Sequence, residues 1–108
     1  MTIPKTDENK ILTRFMVRRY LRQIRANEWT GATSADSSMA ANILADRNLY
    51  DDFVTELLDG AKTASGIALP ENSGETAGSF MDAMLQIMNW IKDNPEFILF
   101  IIKMFGGL

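Results

Sequence analysis

The chain predicts an all-α fold, a small bundle of three to five helices with a hydrophobic C-terminal helical hairpin or kinked helix. Three observations predict it. Apolar residues recur at steps of three and four in the segments 7–25, 49–65 and 79–93, the spacing of one face of a 3.6-residue helix. Stretches rich in Gly, Ser, Asn and Asp separate those segments, as loops do. The last thirty residues, Ser79 to Leu108, hold most of the concentrated apolar surface, and that surface needs a partner. The chain has 108 residues, 46% apolar and 23% charged, which describes one folded domain rather than a disordered chain. Within it we expect a helical body over 1–66 with a basic first helix, a linker over 67–78 and a hydrophobic helical tail over 79–108.

Taken in order, Met1 to Thr6 with Pro4 is expected to be an extended arm. A helix then starts at Asp7, with Thr6 or Asp7 as the cap and Glu8 favouring the positive end. Leu12, Met16, Tyr20 and Ile24 step by four, with Val17 and Leu21 alongside, and form its apolar face. Arg14, Arg18, Arg22 and Arg25 step by four, four and three down another side. That stripe is either a solvated face bonded to carboxylates or a contact for an anionic partner, such as nucleic acid phosphates or anionic lipid headgroups.

Asn27 to Ser38 is expected to be a loop, in which Trp29 either closes the end of the core or anchors a partner. A second helix should run from Ser37 or Ser38 through Met39, Ile43 and Leu44 to about Arg47. Asn48-Leu49-Tyr50-Asp51 resembles a cap with an acidic third position, so a third helix starts there unless one long helix runs through. Tyr50, Phe53, Val54, Leu57 and Leu58 face inward in the segment 49–65, and Asp52, Glu56 and Asp59 face outward. The outward spacing matches the arginine stripe and permits a ladder of ion pairs between the two helices, each adding at most about 1 kcal/mol. Gly60-Ala61-Lys62-Thr63 fails as a phosphate-binding loop, because Ala61 separates Gly from Lys and the context is helical. Gly66 to Gly78, with Pro70 and Asn72-Ser73-Gly74, is the linker.

In the tail, Asp82, Gln86, Asn89 and Asp93 line one narrow stripe, while Phe80, Met81, Met84, Leu85, Ile87, Met88, Trp90 and Ile91 fill the rest of the circumference. One neighbouring helix cannot cover so broad a face. Asp93-Asn94-Pro95-Glu96 predicts a stop and a restart, with Asn94 as N-cap and Pro95 at the first helical position. The restarted helix covers about 95–105, with Gly106 expected in a left-handed C-cap. Its FILFII run, Phe97 to Ile102, is apolar all round and belongs in a core, in an oligomer or in lipid. Eleven or so residues reach about 17 Å, short of a hydrocarbon core of about 30 Å. Joining both halves would place Lys92 and Asp93 near mid-bilayer at about 2.5–3.5 kcal/mol each. Packing against protein is therefore preferred to a membrane span.

Composition narrows the function. There is no Cys and no His, which removes disulfides, thiolate or imidazole ligands and imidazole bases. Asp52, Glu56 and Asp59 form an ordinary solvated face with no calcium-loop pattern around them. No nucleophile, base or cofactor loop is visible, so no catalytic residue, metal or cofactor is expected. The net charge of −3 divides unevenly: residues 1–25 carry seven of the eleven basic groups against Asp7 and Glu8, a segment of +5, and the remainder is −8. Such asymmetry implies an anionic partner or a match between the two parts, within a molecule or between copies.

The expected function is therefore a non-enzymatic structural or assembly subunit, for example of a virion or another large complex. Arg14, Arg18, Arg22 and Arg25 would contact an anionic surface. Trp90, Phe97, Ile98, Phe100, Ile101 and Phe105 would form the tail's protein or membrane interface. The partner is expected to be a protein or further copies of the chain. The alternatives are a membrane-associated protein with interfacial C-terminal helices and a helical nucleic-acid-binding protein. The first residues hold no apolar signal core, and a cytoplasmic or assembly-bound location is expected.

Overall fold

The structure, a computed structural model, describes residues 5–67 and 77–106. The described residues form five helices and no strand: α1 (Lys5–Arg25), α2 (Ser34–Ala45), α3 (Arg47–Ser65), α4 (Ala77–Asp93) and α5 (Pro95–Gly106). The all-α bundle is thus the fold of the chain. Of the expected arm, Met1 to Thr6, residues 1–4 lie outside the described residues, as do the turn at Asn72-Ser73-Gly74 and the side chains of Asp7, Glu8, Leu12 and Phe80, while Lys5 and Thr6 are helical.

The periodic face of α1 is the inward one. Val17, Tyr20, Leu21 and Ile24 are buried, with Met16 packed at the margin. The helix is described from Lys5, two residues ahead of the expected start. It ends in a Schellman motif: Glu28 N–H donates to Gln23 C=O and Asn27 N–H to Ile24 C=O, with Asn27 left-handed at φ 64°. Asn tolerates that conformation better than other residues with a side chain.

Within the expected loop 27–38 the structure corrects the sequence reading. α2 begins at Ser34, inside that loop, because Thr33 and Asp36 form a capping box. Asp36 N–H donates to Thr33 Oγ1 at 3.2 Å, and Thr33 N–H donates to Asp36 Oδ2 at 3.0 Å. Two of the orphan donors at the helix start are satisfied reciprocally. Ser37 Oγ then donates to Arg25 C=O at 2.6 Å, tying the start of α2 to the end of α1. α1 packs most extensively on α2, where Ala40 is fully buried.

α2 and α3 are separate helices, and the break falls at Asp46 rather than Asn48. The Asp46 carboxylate accepts from the backbone N–H groups of Asn48 and Leu49. An ionised oxygen at that point satisfies orphan donors and favours the positive end of α3. At its other end α3 stops on Gly66, left-handed at φ 74°, whose N–H donates to Lys62 C=O. Gly60, in mid-helix, leaves room for Phe97 of α5: a Cβ there would stand 3.0 Å from Phe97 Cζ.

α4 packs on α1 and α3, and α5 on α2 and α3. Ala83, Met84, Ile87, Met88 and Ile91 of α4 are buried, as are Ile98, Leu99, Ile101 and Ile102 of α5. The two helices part at Asn94, whose role differs from the one expected. Asn94 Nδ2 and N–H both donate to Trp90 C=O, at 2.8 and 2.9 Å, so its side chain closes α4 rather than opening α5. Gly106 differs too: it is the last helical residue of α5 and has no positive φ.

Buried polar contacts hold the helices in register. Trp29 closes one end of the core, 8% exposed, its Nε1–H donating to Pro95 C=O at 2.9 Å and its ring 5.0 Å from that of Tyr20. Tyr20 OH donates to Met88 C=O at 3.1 Å. Phe53–Phe105 and Trp90–Phe97 make edge-on pairs at 5.5 and 5.1 Å, a favoured aromatic geometry. Among the described residues no helix is long and apolar enough to cross a membrane.

Candidate functional site

The expected site residues fall into two groups, which the fold treats differently. In the tail group, Ile98 and Ile101 lie inside the chain's own core. Trp90, Phe97 and Phe105 are half-buried against it, and Phe100 is 57% exposed. Phe100 and Met104, one turn apart on the outer face of α5, are the apolar side chains this helix leaves open.

The arginine group stays on the surface, and its members do different things. Arg14 is bound within the fold: its Nη2 lies 2.6 Å from Asp51 Oδ1, and its carbonyl accepts from Tyr50 OH. Arg18 lies over the Tyr50 ring, 5.3 Å from the centroid, a cation–π contact. Arg22 and Arg25 are exposed. The ladder to Asp52, Glu56 and Asp59 does not form. Arg14–Asp51 is the one ion pair among the described residues, and all three carboxylates remain exposed. The physical reason is placement: α1 packs on α2 and α4, and α3 meets it near Arg14, Asp51 and Tyr50 rather than along its length.

A shallow open groove runs along the outer face of α1, lined by Phe15, Arg18, Arg19, Arg22, Arg25 and Glu28 among others. Two of these residues extend the site read from the sequence. Phe15 is 67% exposed, the most open of the large hydrophobic side chains described, and Arg19 stands one turn on from it. The signal was present in the spacing. Phe15 lies off the apolar rows of α1, with arginines three, four and seven residues later, which puts them beside it on one helix face. Glu28 is the groove's one carboxylate.

Two tyrosines behind this face are held neutral. Burial raises the Tyr20 hydroxyl above its ordinary range, opposed by Arg19 and helped by Asp93. Burial also raises Tyr50, with Arg18 and Arg14 opposing and Asp51 adding to the rise. Removing a phenolate from water costs more than the nearby cations return. Both hydroxyls donate to backbone carbonyls, which requires the neutral form.

What the face offers is positive charge around an exposed aromatic ring, on a rigid helix. Among the described residues no three carboxylates converge to hold a metal ion. Comparison with protein-family models, with curated proteins and with solved structures yields no match.

Proposed function

We propose that this chain is a non-enzymatic assembly subunit, a component of a virion or another large complex, that docks through the outer face of α1 onto an acidic protein surface. The observation that carries this reading is the group Arg18, Arg19, Arg22 and Arg25. None of the four has a carboxylate partner among the described residues, and they line one groove with the exposed Phe15. Arginine suits such a role because its planar fork pairs bidentately with carboxylates and its cation is weakly hydrated. The remainder of the chain is strongly acidic, which repels a long polyanion and favours a partner that presents a local row of carboxylates. The working location is the cytoplasm or the assembly itself.

Retention on immobilised poly-glutamate tests the reading. The chain should bind at low salt and elute as salt rises, and a variant with Arg18, Arg22 and Arg25 all changed to Gln should not bind. Equal retention of that variant, or no retention of the parent chain, overturns it. Phe100 and Met104 favour a second reading, an interfacial membrane contact through α5. Flotation with anionic vesicles that is lost in Phe100→Ser would support that one instead.

A further inference from the structure

We infer that the acidic surface met by the α1 face is the outer row of α3, Asp52, Glu56 and Asp59, on a second copy of this chain. This rests on the docking reading above and names its partner. Arg18, Arg22 and Arg25 step by four and then three, and Asp52, Glu56 and Asp59 step by four and then three. Each row therefore spans about 10 Å of helix, with charges at the same heights and angles. With the helices side by side and parallel, Arg18 meets Asp52, Arg22 meets Glu56 and Arg25 meets Asp59. In the antiparallel sense Arg18 meets Asp59, Arg22 meets Glu56 and Arg25 meets Asp52, with the middle pair shifted by one residue, about 1.5 Å, so the rows match in either sense.

Among the described residues neither row is paired with opposite charge, although Arg18 lies over the Tyr50 ring. All six side chains are exposed, and the ion pair formed among the described residues is Arg14–Asp51, which belongs to neither row. A single molecule cannot bring the rows together, because α1 packs on α2 and α4 while α3 packs on α2, α4 and α5. Two molecules can. Thr55 and Thr63, beside the acidic row, donate their hydroxyls to Asp51 and Asp59 carbonyls, so those hydroxyls are committed to α3 itself.

The contact is heterologous, α1 of one copy on α3 of the next, and leaves one row free at each end. It therefore propagates into a ring or an open chain rather than stopping at a dimer. Exposed ion pairs are weak and screened by salt, so association should appear at high protein concentration and low ionic strength, and grow with copy number in an assembly.

Sedimentation velocity on three proteins tests this. The parent chain should gain mass with concentration at low salt and return to monomer at high salt. Arg18→Gln/Arg22→Gln/Arg25→Gln and Asp52→Asn/Glu56→Gln/Asp59→Asn should each be monomeric throughout. An equimolar mixture of the two variants should form a one-to-one dimer and nothing larger, because one keeps its acidic row and the other its basic row. A defect in folding would not be repaired by mixing. A parent chain that stays monomeric at every concentration in low salt overturns the inference, as does a mixture that stays monomeric while the parent associates. If the parent chain is still retained on poly-glutamate in either case, the docking reading stands without this partner. Arginine-dependent binding of an oligonucleotide or of phosphatidylserine vesicles, with no self-association, assigns the face to another polyanion and likewise overturns the second-copy partner.

Discussion

α1 and α5 are the most charged and the most apolar of the helices, and the fold disposes of them in opposite ways. α5 offers apolar side chains on every side, yet Ile98, Leu99, Ile101 and Ile102 are taken up by the chain itself, leaving Phe100 and Met104 outside. α1 buries its apolar stripe equally well, but Arg18, Arg19, Arg22 and Arg25 stay without a carboxylate partner among the described residues. The apolar surface of α5 is thus used mostly within the molecule, while the charge of α1 stays at the surface. Hydrophobic burial acts over any contact that excludes water, whereas ion pairs need particular atoms at particular distances, which α1, packed on α2 and α4, does not find along α3.

The sharpest way to break this contrast lies within α5. Ile98→Ala should cost about 2–5 kcal/mol in chemical denaturation, the range for truncating a buried aliphatic side chain. Phe100→Ala, two residues on, should stay within about 0.5 kcal/mol, as exposed positions do. Equal effects at the two would mean that α5 is not seated as described.

The buried hydrogen bonds come next. Tyr20→Phe, Tyr50→Phe and Trp29→Phe should each lose about 1 kcal/mol, removing the side-chain donor that the Met88, Arg14 or Pro95 carbonyl accepts from outside its own helix. The tyrosines add a pH signature. Each has a raised value in the folded state, so the unfolded chain loses its phenolic proton first. Their contribution is complete below the ordinary tyrosine value of about 10 and is lost as pH rises through the raised folded value. Urea midpoints measured across the alkaline range should fall, and fall less steeply in either Phe variant.

A gain of similar size is expected inside α1. Thr13 is 2% exposed, and its Oγ1 has no hydrogen-bond partner among the described residues. Thr13→Val keeps the shape and removes the stranded hydroxyl, so it should raise stability by about 1 kcal/mol in the same denaturation assay. The smallest effect is the one most telling for function. Arg22→Gln should leave the unfolding midpoint within error, since exposed substitutions stay within about 0.5 kcal/mol, while weakening retention on poly-glutamate.

Much of the bundle was legible in the residues because helical periodicity is local. The inward face of α1, the core positions of α3, the polar stripe of α4 and the restart at Pro95 all follow from spacing and punctuation. The helix boundaries were less so. Thr33-Ser34-Ala35-Asp36 reads as polar loop although it holds a capping box, because the same small polar residues serve loops and caps alike. Asp46 and Asn48 are equally plausible caps by residue type for the same reason, and Asn94 stands between two helix ends.

By itself the sequence determined that the chain is helical, that its charge is divided between a basic start and an acidic remainder, and that its last helices must be covered. Only the tertiary structure decided what covers them and which charges meet. Ile98 and Ile101 proved to be core, and Phe15 and Arg19 proved to be surface. Arg14 found Asp51, and the two matching rows stayed apart. The reason is that a spacing is written along one helix, whereas a contact depends on where two helix axes cross, and that is set by how all five pack at once.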